Sequence, residues 1–338
     1  MHTVIVGGGL AGVKMAKELS RYPNQYVVLV TKSKKLHGKF DYRSILPEKN
    51  ITIINDTLVS LDYERKNILC ESQKLHYDSL ILTLGSVSKK LPFQPQNVPL
   101  SYIGGYTDIE KALDKVRDDL NLKSHAHQKY AVIGAGVTGI ELAGQVAELV
   151  GRNQQKVFII EKEHRILPSR SLAISQKAQK QLAKLGVKTV ASSQITHIAD
   201  GYISIPHYRI SLENVFWATG LQGHPFFKKY PEIFTLDATS EPVVNDYFEA
   251  YRNIYVLSVT SVTNTSIDKK VRFLARYLTS GNKYVPKPNI SDEQLFAIGK
   301  DWAHYSRQKL NISGRLVRRV KDQQDKIYQN IKSGDNQS

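Results

Sequence analysis

The stretch "YAVIGAGVTGIELAGQVAEL", residues 130–149, joins a short apolar run, a glycine-rich corner and a long helical pattern. Near the start of the chain, "TVIVGGGLAGVKMAKEL", residues 3–19, follows the same plan. In both copies the glycines have the spacing G-x-G-x-x-G, directly after an apolar run typical of a buried strand. The repeat therefore predicts two strand–turn–helix units within a chain of 338 residues.

The three glycines of each copy have different tasks in a dinucleotide-binding turn. The first permits the tight turn, the second lets a pyrophosphate approach the backbone, and the third lets helix and strand pack closely. Free N–H groups and a partial positive charge at the helix start then bind the phosphates. The predicted cofactor-binding residues are Gly7, Gly9, Leu10, Ala11 and Gly12 in the first unit, and Gly134, Gly136, Val137, Thr138 and Gly139 in the second.

The residue that ends the next strand distinguishes the two copies. Glu161 has this place in the second unit, where a carboxylate accepts hydrogen bonds from ribose hydroxyls and repels a 2′-phosphate. We therefore expect NADH in preference to NADPH. In the first unit the place belongs to Thr31, whose hydroxyl is a weaker ribose ligand. Lys32 follows in "TKSKK", and it either lies beside a cofactor or belongs to a solvated loop.

Apolar runs alternate with helical patterns through most of the chain, and this order favours α/β units with parallel sheets. A chain of this length commonly folds as two or three domains. Residues after about 290 have helical spacing and a basic bias, which predicts a helical C-terminal region. The fold class is therefore α/β, with two Rossmann-like dinucleotide-binding domains and a C-terminal helical tail.

Composition limits the function further. The net charge of +16 favours an anionic surface or ligand as partner. The single cysteine excludes an internal disulfide and a redox cysteine pair, and the scattered histidines show no metal-ligand spacing, so no metal is expected. No apolar run reaches the ~18–20 residues that span a bilayer, and the first strand leaves no room for a signal peptide. A cytoplasmic location is expected.

Four stretches together resemble a known family: "IGAGVTGIELAGQVAEL", "IIEKEHRILP", "YDSLILTLGS" and "NVFWATG". They are similar to type II NADH:quinone oxidoreductases and apoptosis-inducing-factor-like flavoproteins, within the FAD-dependent pyridine nucleotide-disulfide oxidoreductase superfamily. The resemblance implies that the first unit holds FAD and that the second, inserted in the first, holds NADH. The implied domains are residues 1–108 with 236–285 for FAD, 109–235 for NADH, and 286–338 as a basic C-terminal region.

The resemblance also implies roles for individual residues. Leu58 falls near the adenine of FAD, Leu84 and Gly85 lie beside the flavin, and Gly220 lies at the rim of the NADH site. Glu141 matches a glutamate between nicotinamide and flavin, which would make it the catalytic residue. Its alternative interpretation is a carboxylate that is favoured early in a helix by the helix dipole.

Three departures from the family pattern weaken the FAD assignment. Ser258 and Val259 stand where the family has Gly-Asp, whose carboxylate binds the ribityl chain of FAD. The quinone-site pattern has become "NTSIDK", residues 264–269, and the segment at 36–49 is shortened. Two hypotheses follow. The first is an FAD-dependent NADH dehydrogenase that reduces a quinone or similar acceptor, and the alternative is an NAD(H)-binding regulatory protein without flavin.

The C-terminal region suggests a partner surface. Its apolar residues fall near one predicted helical face with basic residues around it, so the helix either lies on an anionic membrane or packs on the protein itself. The membrane alternative would place the protein at the inner face of the cell membrane. Nucleic acid is not expected, because no recognition module accompanies the charge; a homodimer remains open. The apolar residues are Leu316, Val317, Val320, Ile327 and Ile331, and the basic ones are Arg315, Arg318, Arg319 and Lys321.

Overall fold

The structure, a computed structural model, describes residues 1–36, 40–93, 95–97, 99–104, 106–121, 129–151, 156–199, 201–206, 208–212, 214–257, 264–281, 285–286, 294–307 and 310–323. The strands are β1 (His2–Val6), β2 (Tyr26–Thr31), β3 (Lys35–Leu36), β4 (Phe40–Asp41), β5 (Ile51–Asn55), β6 (Leu58–Asp62), β7 (Asn67–Cys70), β8 (Lys74–His76), β9 (Ser79–Leu82), β10 (Ser86–Ser88), β11 (Leu100–Tyr102), β12 (Tyr130–Ile133), β13 (Val157–Ile160), β14 (Val187–Val190), β15 (His197–Ala199), β16 (Tyr202–Ile205), β17 (Tyr208–Ser211), β18 (Asn214–Trp217), β19 (Leu221–Gly223), β20 (Glu249–Tyr251), β21 (Ile254–Val256), β22 (Gln294–Ile298), β23 (Trp302–Arg307) and β24 (Leu310–Gly314). The α-helices are α1 (Leu10–Leu19), α2 (Tyr42–Ile45), α3 (Tyr106–Asn121), α4 (Val137–Val150), α5 (Leu172–Lys184) and α6 (Asn264–Thr279), with a 3-10 turn at Pro225–Lys229 and helical backbone at 315–323.

The first sheet has the strand order β20-β21-β9-β1-β2-β5 and is parallel except at its β20 edge. Both faces are buried, which explains why its strands are continuous apolar runs. Helices α1 and α6 cover one face, and the antiparallel β6–β8 sheet covers the other together with the aromatic turn at Pro225–Lys229.

The second sheet has the order β11-β18-β12-β13-β14, and every neighbouring pair is parallel. Helices α3, α4 and α5 pack on one face, and the antiparallel sheet β15–β17 covers the other. Parallel neighbours need long crossover connections, and the helices between the strands provide them. The prediction of an α/β fold with two Rossmann-like units is confirmed.

The chain leaves the first sheet and later returns to it. Strand β21 pairs with β9, so that Ile254 lies opposite Leu80. Between these two strands the chain forms the whole second sheet. The second unit is therefore inserted in the first, as expected, and the antiparallel ribbon of β10 and β19 joins the outgoing and returning segments. The individual domain bounds, at 108, 235 and 285, remain predictions.

The C-terminal region differs from the helical prediction. Residues 294–307 and 310–314 form a three-stranded antiparallel sheet, β22-β23-β24, and among the described residues beyond 286 only 315–323 are helical. The cause is a turn at Gly299, whose φ of +65° ends β22 and sends the chain back. Short strands with aromatic residues between charged turns imitate the spacing of an amphipathic helix, so periodicity alone misassigned them.

The C-terminal sheet packs directly on α4. Phe296 and Ile298 are buried in the same core as the apolar side of this helix. The contact is close because position 144 is a glycine: a Cβ there would lie 2.9 Å from the Gly299 nitrogen and 3.1 Å from Ile298 Cγ2. The helix that opens with the second glycine motif is therefore also the platform for the C-terminal region.

We expect Gly144→Ala to lower the free energy of unfolding by about 1–2 kcal/mol, because the new methyl group overpacks the sheet contact. In an uncrowded helix the same change stabilises by about 1 kcal/mol, so the sign of the measured change in unfolding free energy shows whether position 144 is crowded. Urea unfolding measures it, with Gln179→Ala at an exposed position of α5 as the control. A stabilised Gly144→Ala protein would contradict the packing described above.

Candidate functional site

The predicted site residues collect at the carboxyl ends of the two parallel sheets. In the first sheet the Gly7 N–H donates to the Val30 carbonyl and the Thr83 N–H to the Val6 carbonyl, so three strand ends lie together. In the second sheet the Gly134 N–H donates to the Ile160 carbonyl in the same way. Ligands of open α/β sheets bind at this edge.

The glycine turns have the geometry that their spacing predicts. Gly7 and Gly134 have φ values of +120° and +97°, which L residues with a side chain rarely adopt. A Cβ at Gly12 would overlap the Gly7 carbonyl oxygen, and a Cβ at Gly139 would overlap that of Gly134. The third glycine thus brings each helix against the turn before it.

The second glycine of each turn faces open space. A Cβ at Gly9 or Gly136 would meet no protein atom within 4 Å. Each is the N-cap residue of its helix, no side chain caps the helix, and the first turn carries no acidic residue. The first N–H groups of α1 and α4 are therefore available to phosphate oxygens, and Leu10, Ala11, Val137 and Thr138 carry them.

Glu161 is fixed beside the second turn. Its side chain is buried, and its two oxygens accept hydrogen bonds from the Ala135 N–H at 2.6 Å and the Glu163 N–H at 3.1 Å. A carboxylate oxygen has more than one acceptor site, so these bonds leave acceptor capacity for ribose hydroxyls. The position agrees with the predicted ribose contact, although the contact itself remains a prediction.

Thr31 occupies the equivalent place in the first unit. It is buried, and its hydroxyl lies within hydrogen-bonding distance of the Tyr42 hydroxyl, at 3.1 Å. Tyr42 in turn donates to the Gly8 carbonyl at 2.6 Å, and burial raises the pKa of the Tyr42 phenol. The sequence analysis did not identify Tyr42, because it comes from the shortened segment and no motif marks it.

The remaining predicted residues of the first unit lie at or near the same edge. Gly85 has a φ of +73° and faces open space, and Leu84 beside it is half-buried. Leu58 lies on β6 and packs, like Leu84, against the core between the first sheet and β6–β8. Thr83 is a further site residue, since its hydroxyl donates to the Gly7 carbonyl at 2.9 Å and so braces the turn.

At the second edge, Gly220 follows β18 with a φ of +112° and is exposed. Lys32 is exposed directly after Thr31. Ser258 and Val259 lie outside the described residues, as do His125 and His127. Among the residues that the structure describes, no group of three or more His, Cys, Asp or Glu could hold a metal ion.

Glu141 points towards the C-terminal sheet. Its carboxylate accepts the Ala297 N–H at 2.9 Å and lies 3.8 Å from the ammonium nitrogen of Lys321. Two turns further along α4, Glu148 accepts the Lys300 N–H at 2.7 Å. Glu141 and Glu148 therefore hold the β22–β23 hairpin near the end of β22 and at its turn, and Gly144 lies between them on α4. These contacts give Glu141 a docking role, and a catalytic role remains a prediction.

Comparison with known proteins agrees with this geometry. The profile of the pyridine nucleotide-disulphide oxidoreductase family matches residues 1–258, so the chain belongs to this family. The NADH dehydrogenase-like protein YutJ of Bacillus subtilis is 23% identical over 241 residues, which are 65% of each chain. The type II NADH:quinone oxidoreductase NdhA of Mycobacterium tuberculosis is 22% identical over 288 residues, 68% of this chain and 59% of that one.

The fold also matches solved structures. The sulfide:quinone oxidoreductase of the hyperthermophilic bacterium Aquifex aeolicus superimposes with a TM-score of 0.79 at 18% identity, over 98% of this chain and 92% of that one. The resemblance inferred from the sequence is therefore confirmed at the level of family and fold. FAD and NADH are the cofactors that this family and its NADH dehydrogenases use. The match spans less than two thirds of the two curated relatives' own lengths.

Substitution of the second glycine should separate folding from binding. Gly136 has a φ of −71° and open space where a methyl group would lie, so Gly136→Ala should fold and lose no more than about 1 kcal/mol, the cost of alanine as an N-cap residue. We expect NADH to bind about tenfold or more weakly, because the methyl group occupies the approach of the pyrophosphate. Fluorescence titration and thermal unfolding give the two measurements.

Gly139→Ala is the comparison for that experiment. Its Cβ would overlap the Gly134 carbonyl, so this variant should lose stability as well as binding. Unaltered NADH affinity in Gly136→Ala would remove the second turn from the NADH site.

For Glu141→Ala we expect a loss of about 1–3 kcal/mol of unfolding free energy, because the buried Ala297 N–H loses its acceptor. Glu148→Ala should lose less, since its partner Lys300 is exposed. NADH affinity should stay within about twofold in both, if docking is the role of the pair. Urea unfolding and NADH titration measure these two quantities. A catalytic role of Glu141 would instead appear as a loss of flavin reduction at unchanged stability.

Proposed function

We propose that the protein is an FAD-dependent NADH dehydrogenase that passes electrons from NADH through flavin to a quinone or similar acceptor. One observation carries the proposal. Two uncapped helix N-termini, each behind an open glycine turn, lie at the carboxyl edges of two linked parallel sheets. One chain with two such turns is built to hold two dinucleotides, and hydride transfer between them is the chemistry that this permits.

The residues of the first turn fit the pyrophosphate of FAD. The N–H groups at the start of α1 face a space that a Cβ at Gly9 would enter. The Thr83 hydroxyl stabilises the turn by donating a hydrogen bond to the Gly7 carbonyl. When bound, FAD accepts a hydride and releases electrons singly or in pairs. Leu84 and Gly85, which follow β9 at this edge, would lie beside the flavin, and Leu58 near the adenine.

The second turn fits NADH. The start of α4 would bind the pyrophosphate, Glu161 would accept the ribose hydroxyls, and Gly220 would line the rim. Relatives named NADH dehydrogenase-like protein and type II NADH:quinone oxidoreductase support this donor and a quinone as acceptor. A disulfide acceptor is not favoured, because a thiol relay needs a reactive pair and the single Cys70 is buried, with its pKa raised by burial to about 11.

The same geometry supports an anionic membrane surface as a partner. On the helix at 315–323, Val317 is buried against the C-terminal sheet, whereas Leu316 is 74% and Val320 50% exposed, with basic residues between them. An exposed apolar pair within a basic face is the pattern of an interfacial helix. None of the described helices is long and apolar enough to cross a bilayer. A location at the inner face of the cell membrane, and a homodimer, remain predictions.

A second candidate is an NAD(H)-binding regulatory protein without flavin. The strand end of the first unit favours this candidate. There the hydroxyls of Thr31 and Tyr42 lie beside Gly8, whereas the second unit has the carboxylate of Glu161 at the equivalent place. The second turn would then be the functional site, and the first would be structural or would serve another nucleotide.

The test is a flavin spectrum followed by anaerobic NADH. After saturation with FAD and removal of the excess, we expect the bound flavin to lose its yellow absorbance with NADH and to regain it when a soluble quinone is added. NADPH should act about tenfold or more slowly, and Glu161→Ala should narrow this difference, because the carboxylate no longer repels the 2′-phosphate. Absence of bound flavin would favour the regulatory candidate.

A further inference from the structure

The two units can be superimposed residue by residue at their ribose-binding ends. Val6 lies opposite Val30 in the first sheet, as Ile133 lies opposite Ile160 in the second. The residue after each pair is Gly7 or Gly134, whose N–H donates to Val30 or Ile160 respectively. Thr31 is therefore the structural equivalent of Glu161, and Gly8 is the equivalent of Ala135.

The two equivalent places have different charge. In the second unit the anionic Glu161 carboxylate contacts the Ala135 N–H. In the first unit two neutral hydroxyls contact Gly8 instead, and a Cβ at Gly8 would overlap both Thr31 Oγ1 and the Tyr42 hydroxyl. Because burial raises the pKa of Tyr42, its phenol stays protonated and uncharged near neutral pH. At this place the described residues of the first unit present hydroxyls and no carboxylate.

Positive charge surrounds the end of β2. Lys32, Lys34 and Lys35 are exposed directly after Thr31. Burial lowers the pKa of His224, and the positive charges of Lys229 and Lys32 lower it further. Lys32 thus adds a positive charge at the edge of the first site.

Among the described residues near this edge, the carboxylates of Asp56 and Asp41 have other partners. Asp56, which follows β5, accepts hydrogen bonds from the Ser72 hydroxyl and from the Thr57 and Ser72 N–H groups, and these bonds lower its pKa. Asp41 accepts the Arg43 N–H and lies opposite Lys35 in the β3–β4 pair. Neither of these contacts neutralises Lys32.

We propose that the first dinucleotide site accepts an adenosine nucleotide with a phosphate on its ribose, bound by Lys32 beside the neutral Thr31 and Tyr42. In Rossmann-type sites an acidic residue at this strand end excludes a ribose phosphate, whereas a nearby basic side chain pairs with it. The first unit has neutral hydroxyls and a lysine, which permit a ribose phosphate. The second unit has the carboxylate of Glu161, which excludes one. The proposal deepens the proposed function, because it assigns a specificity to the site that would hold FAD.

The site therefore gives the protein a means of responding to phosphorylated dinucleotides. A ligand of this class would occupy the place of the adenosine half of FAD and compete with it. NADH would remain at the second site, where Glu161 selects the unphosphorylated ribose. Lys32 acts here as a specificity-determining residue, and it has no part in hydride transfer.

Calorimetric titration of the full chain tests the proposal without any turnover assay. The probes are adenosine 2′,5′-bisphosphate and adenosine 3′,5′-bisphosphate, which differ in the position of the ribose phosphate, with AMP as reference. We expect at least one bisphosphate to bind about tenfold or more tightly than AMP, and the tighter one identifies the ribose position. Added FAD should abolish this binding, and added NADH should leave it unchanged.

Lys32→Glu and Lys180→Glu form a matched pair, since both reverse one exposed charge. Lys32→Glu should remove the preference for the bisphosphate and leave AMP binding within about twofold, whereas Lys180→Glu on α5 should change neither. Equal affinities for bisphosphates and AMP, an equal loss in both variants, or competition by NADH would overturn the proposal. The titration does not measure NADH oxidation. Its result can therefore be interpreted even if the dehydrogenase assay of the proposed function fails.

Discussion

The contact between the first and third glycine of each motif is the constraint on which the rest of the structure depends. With no side chain at Gly12 and Gly139, the helix backbone lies against the carbonyl oxygens of Gly7 and Gly134. Any Cβ there would push the helix outward and move its N-terminus from the strand end. The free N–H groups would then no longer lie at the edge where Gly9 and Gly136 leave open space. A phosphate-binding place at this edge would thus be a consequence of how closely a helix packs on a strand.

Helix α4 shows how one element serves two tasks. Its N-terminus belongs to the second glycine turn, and its side carries Glu141, Gly144 and Glu148, which hold the C-terminal sheet. Because the sheet contacts the helix backbone at Gly144, a displacement of the C-terminal region would act directly on the helix that follows the second glycine turn. The basic helix at 315–323 follows this sheet directly in the chain, so the sheet connects it to α4.

Much of the fold was predictable because its signals are local. The glycine spacing and the apolar strand beside it are contiguous in sequence, and the observed α4, Val137–Val150, begins directly after Gly136 as this spacing predicts. The C-terminal sheet was not predictable, since its strands are short and their alternation is interrupted by charged turns. Tyr42 was missed for a different reason: its contact with Gly8 joins residues that are distant in sequence, and no spacing rule connects them.

The duplication also explains why the two sites need different charges. Two identical dinucleotide sites in one chain would compete for the same cofactor, and an electron-transfer reaction requires different occupants. The glycine turns are nearly identical in geometry, so they do not distinguish the ligands. The distinction therefore depends on the residue at the end of the neighbouring strand, anionic Glu161 in one unit and hydroxyl-bearing Thr31 in the other. In the proposed function, a single position per unit, adjacent to a common phosphate cradle, would be sufficient to assign different nucleotides to two copies of one fold.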